Sequence, residues 1–118
     1  MTDPGALSRR YVDAFNQRDW AAMRSMLADR VDYTLPGLET MTDPEDVVAF
    51  YRKLTTLEST SDLVMEVTQS VSDGERWAAF MNRSVAGPPG RTGVFMEWVD
   101  ERLTTYRAFA ETPLPPRD

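Results

Sequence analysis

The chemistry available to this chain is restricted to carboxylates, phenols and basic side chains, because the sequence contains neither histidine nor cysteine. This excludes imidazole bases, thiolate nucleophiles, disulfides and zinc sites built from those residues. The acidic residues show no calcium-loop spacing, and no glycine-rich loop is present to hold a phosphate, so we predict neither a metal nor a cofactor. Any proton transfer must therefore use Asp, Glu, Tyr, Lys or Arg.

Glu97 is the acidic residue best placed for catalysis, since it interrupts an apolar stretch that runs from Val94 to Val99. A carboxylate is costly to bury there without a partner. In an apolar pocket, desolvation would favour its protonated form and suit it as a general acid or base. The alternative is a strand register shifted by one residue, which would turn Glu97 to the outer face, and the sequence leaves both open. Glu111 is a second candidate.

Helical signals fill the first half of the chain. Asp3-Pro4, Asp19 and Asp43-Pro44 each supply a helix-capping carboxylate, twice followed by proline at the first helical position. Between the second and third helices, the alternation of Val31–Leu35 predicts a short strand. The predicted core positions of the three helices are Leu7, Tyr11, Ala14 and Phe15, then Trp20, Met23 and Leu27, and finally Val47, Phe50, Tyr51, Leu54 and Leu57.

Strand signals fill the second half, from about Thr60 onward. The predicted strands are Leu63–Val71, Arg76–Ala86, Arg91–Val99 and Leu103–Glu111, and an Asp-Gly pair marks the first hairpin turn. Helices followed by strands predict an α+β architecture, with the helices packed on one face of a largely antiparallel sheet. A sheet that curls would leave a concave pocket for a small molecule.

The composition indicates one globular domain, with 118 residues of which 42% are hydrophobic and 27% charged. The net charge of −6 and the scattered basic residues argue against nucleic-acid binding. No stretch approaches the ~18 apolar residues that span a membrane, and the N-terminus lacks the pattern of a secretory signal. We expect a cytoplasmic protein without membrane contact, with one domain over residues 1–112 and a proline-rich tail over 113–118.

The predicted strands are partly apolar on both faces. In the segment 76–86, one alternating set contains Trp77 and Met81, and the other contains Ala78 and Phe80. A sheet with one wet face shows a cleaner alternation. The second apolar face therefore predicts a partner, most simply another copy, and so a homodimer through the outer sheet face.

Several short segments, spread over nearly the whole chain, occur in the order and spacing of a known fold family. They are Arg10-Tyr11-Val12, Leu27-Ala28-Asp29, Phe50-Tyr51, Glu66-Val67-Thr68-Gln69 and Ala78-Ala79-Phe80. Together they resemble ketosteroid isomerase, a member of the nuclear transport factor 2-like (NTF2-like) superfamily with SnoaL-type polyketide cyclases and limonene epoxide hydrolases. The resemblance implies a cone-shaped, curved mixed sheet whose concave face is covered by three helices, a cystatin-like α+β barrel.

The resemblance also assigns roles to individual residues. It implies that Tyr11 donates a hydrogen bond to a ligand oxyanion and that Tyr51 is its hydrogen-bonded partner. The two catalytic aspartates of the isomerases correspond to Leu35 and Val99, which cannot transfer protons. Glu111 takes the place of the last-strand aspartate of the epoxide hydrolases, whose other catalytic aspartate has no counterpart here. No activity of the superfamily therefore carries over intact.

The matched register predicts which residues line the pocket. Without the resemblance, Tyr11 and Tyr51 are more simply amphipathic core residues. With it, strand alternation turns several phenols, two small polar groups and one carboxylate toward a ligand. The predicted lining comprises Tyr11, Tyr33, Leu35, Tyr51, Leu54, Asn82, Ser84, Glu97, Val99, Tyr106 and Glu111.

These features predict a cofactor-independent enzyme of the isomerase, cyclase or epoxide hydrolase type, acting on a hydrophobic, oxygenated metabolite. Tyr11, supported by Tyr51, would bind the carbonyl or developing oxyanion, and Glu97 would move the proton. The alternative is a non-catalytic ligand-binding or dimerisation domain of the same fold, which the aliphatic Leu35 and Val99 favour.

Overall fold

Three helices and five strands make up the described part of the chain. The computed structural model describes residues 3–57, 61, 63–84 and 90–110, with the side chains of 82–84, 90 and 110 excepted. The elements are α1 (Pro4–Asn16), α2 (Trp20–Met26), β1 (Leu27–Thr34), α3 (Pro44–Leu54), β2 (Val64–Asp73), β3 (Arg76–Ser84), β4 (Gly90–Val99) and β5 (Arg102–Ala110). The predicted order of helices and strands is confirmed. Within these ranges no helix is long and apolar enough to cross a membrane.

Each helix begins at one of the predicted aspartates, whose carboxylate accepts a backbone N–H bond from the first turn. The bonds run from Ala6 N to Asp3 (3.1 Å), from Ala22 N to Asp19 (3.1 Å) and from Glu45 N to Asp43 (2.9 Å). Two of the predicted helices extended too far at their C-terminal ends. Leu27 is the first residue of β1, and Leu57 lies beyond the end of α3 with an exposed side chain.

The five strands form one mixed, open sheet in the order β1-β5-β4-β3-β2, with β1 and β2 at its edges. Only β1 and β5 are parallel, and the other neighbours are antiparallel. The helices cover one face: α1 packs against β2, β3 and β4, while α2 and α3 pack against β1. The predicted α+β architecture is confirmed.

Two tight turns connect the antiparallel strands. Gly74 opens the two-residue turn between β2 and β3 with a φ of +64°, a conformation that glycine adopts without steric cost. The turn between β4 and β5 consists of Asp100 and Glu101, both with positive φ.

The face covered by the helices, called the inner face below, carries the buried core. On β3 and β4 its residues alternate as Trp77, Ala79 and Met81, and as Thr92, Val94, Met96 and Trp98. The opposite, outer face of β4 carries Phe95 and Glu97, which are half-buried, and Val99, which is exposed. The sheet therefore separates a closed core from a second, partly apolar surface.

Candidate functional site

An apolar pocket lies between the inner face of the sheet and the three helices, with a volume of about 240 Å³. At the usual packing density of ~0.74 it holds roughly 180 Å³ of atoms, which corresponds to a small molecule of about two fused rings. Its lining comprises Tyr11, Val12, Phe15, Met23, Leu35, Pro36, Leu38, Phe50, Tyr51, Leu54, Leu63, Met65, Met81, Thr92, Tyr106 and Ala108.

A buried hydrogen bond fixes how α1 presents its side chains to the pocket. The indole Nε1 of Trp98, on β4, donates to Ser8 Oγ over 2.8 Å, and both residues are buried. Ser8 and Tyr11 lie on one face of α1 because they are three residues apart. The ring of Tyr11 meets Trp98 edge-on, with centroids 6.3 Å apart. The bond therefore directs Tyr11 toward the sheet.

The parallel pairing of β1 with β5 brings two further tyrosines together. Tyr33 and Tyr106 are direct partners in this pairing, and their rings stack with centroids 4.3 Å apart and planes 4° apart. A bulge in β5, where Thr104 has no partner on β4, shifts the alternation so that Leu103 and Tyr106 are both buried. The bulge thus turns Tyr106 to the inner face.

The four tyrosines, which are all the tyrosines of the chain, form one cluster at the base of the pocket. The hydroxyl oxygen of Tyr33 lies 2.8 Å from that of Tyr11 and 2.7 Å from that of Tyr51. The fourth, Tyr106, joins the cluster through its ring, which stacks on that of Tyr33. Tyr33 is completely buried behind the pocket, whereas the other three phenols line it. The hydrogen bonds therefore link three phenols in a chain, called the phenol chain below, whose two ends, Tyr11 and Tyr51, both face the cavity.

Counting protons shows what this chain offers to a ligand. The three linked phenols carry three hydroxyl protons, and the two hydrogen bonds among them use two, so one proton is left to donate outward. If Tyr33 kept that proton, it would be buried without an acceptor, which is costly. The bonds therefore run in one direction along the chain, and the spare proton is on Tyr11 or on Tyr51. Either phenol donates it into the pocket, and bonds in series strengthen one another.

The phenols stay protonated over a wide pH range. Burial raises the pKa of Tyr11 and of Tyr51 well above the ordinary value of 10.0, and the hydrogen bond to Tyr33 offsets part of this rise in both. Burial also raises the pKa of Tyr33 and Tyr106, with a further increase from the neighbouring phenols. At neutral pH the cluster therefore acts as a hydrogen-bond donor and cannot act as a base.

The structure brings most of the predicted helical and β1/β5 residues to the pocket. Those that line it are Tyr11, Leu35, Tyr51, Leu54 and Tyr106, while Tyr33 supports them from behind. The side chains of Asn82 and Ser84, and all of Glu111, lie outside the described residues. The predicted phenols converge, but the expectation that Tyr51 is the direct hydrogen-bond partner of Tyr11 is wrong, because the hydroxyl of the buried Tyr33 lies between them.

The predicted inward orientation of Glu97 and Val99 is wrong. Both belong to the outer face of β4, opposite to the buried Met96 and Trp98. Glu97 pairs directly with Arg76 on β3, where a cross-strand partner of opposite charge favours an outward carboxylate. Glu97 therefore cannot act as the base of this pocket.

Sequence reasoning missed the residues that close the apolar side of the pocket. Met65 and Met81 reach it from β2 and β3, and Thr92 reaches it from β4. Each lies on the inner face of its strand. The sequence signal for these residues is the alternation along the strand, which identifies them only once it is known which alternate residues face inward.

Polar groups in the described lining are limited to the phenols of Tyr11, Tyr51 and Tyr106 and the hydroxyl of Thr92. None of the described lining residues is charged, and in the same ranges no group of three or more acidic side chains is placed to hold a metal ion. The arrangement can enclose an apolar skeleton and donate a hydrogen bond to one oxygen.

The fold and this pocket define a protein of the NTF2-like superfamily. An NTF2-like protein of unknown function from Burkholderia pseudomallei K96243 is similar with a TM-score of 0.83 and 20% identity, over 94% of this chain and 92% of that one. A candidate polyketide cyclase from Sinorhizobium meliloti has a TM-score of 0.78 and 16% identity, over 88% and 94%. At these identities the likeness concerns the fold alone.

Within this superfamily, the chain belongs to the SnoaL-like domain family, whose model matches residues 8–105. A candidate ketosteroid isomerase from Kribbella flavida DSM 17836 is similar with 28% identity and a TM-score of 0.82, over 96% of this chain and 81% of that one. Comparison with curated proteins gives no match.

Proposed function

We propose that the protein binds one small, mainly apolar molecule through a ketone or similar oxygen that accepts a hydrogen bond from Tyr11. The observation that carries this proposal is the phenol chain, whose spare proton faces a mainly apolar pocket. The resemblance of Tyr11 to the oxyanion-binding tyrosine of ketosteroid isomerases supports the same end of the chain.

The experiment compares 2-tetralone, a two-ring ketone, with tetralin, the same skeleton without oxygen. We expect the wild-type protein to bind 2-tetralone more tightly and Tyr11→Phe to weaken that binding roughly tenfold, as one lost hydrogen bond predicts. Tetralin affinity should not change. Tyr33→Phe removes the same atom from the residue behind Tyr11, so it should weaken binding by less, because Tyr11 keeps its own hydroxyl proton. Absence of saturable 2-tetralone binding, or an unchanged preference in Tyr11→Phe, would contradict the proposal.

A second candidate function is catalysis of enolisation at the same site, as an isomerase or cyclase requires. It is favoured by phenols that stay protonated in an apolar pocket, because hydrogen-bond donors stabilise a developing oxyanion most strongly in such surroundings. The described lining offers no carboxylate to remove the proton, so binding is the first proposal. In deuterated water, Tyr11-dependent exchange of the acidic C1 protons of 2-tetralone, faster than in buffer, would support catalysis. Unchanged, bound 2-tetralone would support binding alone.

We infer that two copies associate through the outer sheet face. Six residues form an apolar surface there, called the outer patch: Val71, Ala78, Phe80, Gly93, Phe95 and Phe109. Val71 and Phe109 are 72% and 64% exposed, which is unusual for such side chains in an isolated monomer. Gly93 lies between Phe80 and Phe109 in the sheet, and the ring of Phe80 lies over it. A second copy related by a two-fold axis can pack its own outer patch on this aromatic surface.

A further inference from the structure

Thr92 carries a buried hydroxyl that has no hydrogen-bond partner among the residues that the structure describes. The residue is 6% exposed and lines the pocket from the inner face of β4. No hydrogen bond to its Oγ1 is formed within the part of the chain that the structure describes. Two other strand threonines are hydrogen-bonded: Thr68 donates to the carbonyl of Phe80 (3.1 Å) and Thr104 to that of Glu97 (3.2 Å).

An unpaired buried hydroxyl is uncommon because it gives up its bonds to water without compensation. Valine has nearly the same shape and would fill this position at no such cost. A threonine at this position is therefore explained by a ligand in the pocket that forms a hydrogen bond with its hydroxyl.

Thr92 lies at the end of the pocket away from the tyrosines. Tyr106 pairs with Met96 on β4, and Thr92 is four residues further along the same strand, or roughly 13 Å at about 3.3 Å per residue. The inner-face residues between these two levels are Val94 and Ala108, which are apolar. The pocket thus has polar groups at both ends of an apolar middle, the phenols at one end and the hydroxyl of Thr92 at the other.

We propose that Thr92 is a second polar subsite and that the ligand carries a second oxygen at the end opposite to the one bound by Tyr11. This inference rests on the proposed function, since it assumes that the first oxygen contacts the phenol chain. A hydroxyl can donate and accept, so Thr92 accommodates either a ligand hydroxyl or a carbonyl. The ligand class is therefore a two-ring molecule with oxygen functions at both ends of its long axis.

The test uses 6-hydroxy-2-tetralone and 6-methyl-2-tetralone, which share the ketone and differ at the far end. We expect wild-type protein to bind the hydroxyl compound roughly tenfold more tightly, because it satisfies Thr92. In Thr92→Val this preference should disappear while affinity for the methyl compound is kept. Equal affinity of the wild type for both probes, or a preference that survives in Thr92→Val, would overturn the subsite. Failure of both probes and of 2-tetralone to bind would instead overturn the proposed function and the subsite together.

A second measurement needs no ligand. If Thr92 is unpartnered, Thr92→Val should raise the melting temperature of the free protein, whereas a hydroxyl with a structural role would give a decrease. Thr105→Val is the matched control, because Thr105 is a half-buried threonine on the outer face of β5. A lower melting temperature in Thr92→Val alone would overturn the proposal, and a rise in Thr92→Val alone supports it.

Discussion

The phenols of the tyrosine cluster link the stability of this protein to alkaline pH. Burial raises the pKa of each above the ordinary value of 10.0, at which the unfolded chain ionises. Below pH 10 the phenols are protonated in both states, so their contribution is fully present. Above pH 10 the unfolded state binds fewer protons than the folded state, and the free energy of unfolding falls by about 1.4 kcal/mol per pH unit and tyrosine.

We therefore expect no phenolate signal from the folded protein, because all its tyrosines belong to the cluster. Phenolate absorbance and loss of the circular dichroism of the native fold should appear together, in one step above pH 10. Tyr33→Phe should show the same coincidence with three phenolates instead of four. Phenolate absorbance rising near pH 10 while the dichroism stays native would contradict the burial of the cluster.

At the scale of the elements, the turn after α1 holds the first residues of edge strand β2. The side-chain amide of Asn16 donates to the carbonyl of Met65 and accepts from its N–H, both over 2.8 Å. The guanidinium of Arg18 donates to the carbonyls of Ser61 (3.0 Å) and Leu63 (2.6 Å). Edge strands present unpaired backbone groups, and Asn16 satisfies two of them as a neighbouring strand would. Met65 and Leu63, which line the pocket, are positioned by these bonds.

Asn16→Leu should lower the free energy of unfolding by roughly 1–3 kcal/mol, because it leaves both backbone groups of Met65 without their partner. Urea denaturation gives this value, and faster hydrogen exchange of the Met65 amide should accompany it. Asn16→Asp keeps the acceptor and loses the donor, so its effect should be smaller. A loss within about 0.5 kcal/mol for Asn16→Leu, typical of an ordinary surface change, would count against this role.

The helix starts could be predicted from the sequence because their determinants are local. An aspartate that caps a helix acts on backbone groups two or three residues away, so Asp3, Asp19 and Asp43 could be recognised without knowledge of the fold. The bonds of Asn16 and Arg18 to the start of β2 and the residues before it could not be predicted, since the partners lie far away in the chain.

Which side chains of each strand point to the inner face could not be predicted, because both faces of the sheet are apolar. On β4, Phe95 and Val99 on the outer face are as hydrophobic as Val94 and Met96 on the inner face, so alternation does not tell which set is buried. The placement of Glu97 depended on that choice and was wrong. Tyr106 faced inward as predicted, although the β5 bulge that turns it inward has no recognisable sequence signal.

The whole molecule uses the two faces of one sheet for different purposes. The inner face closes a pocket with the helices, and the outer patch remains exposed beside the ion pair of Asp32 with Arg107 (2.7 Å). Because the pocket opens away from the outer face, association through the outer patch leaves ligand access free. The proposed binding site and the proposed dimer are therefore separable by mutation.

Phe109→Glu should separate them, because it places a charge in the outer patch, where burial against a second copy is costly. We expect the wild-type chain to sediment at twice its 13.4 kDa mass and Phe109→Glu at the monomer mass, with unchanged affinity for 2-tetralone. Leu57→Glu is the control, since Leu57 is an exposed leucine beyond α3 and outside the patch, and it should remain dimeric. A wild-type monomer at micromolar concentration, or dissociation by Leu57→Glu as well, would show that the outer patch is not the dimer interface.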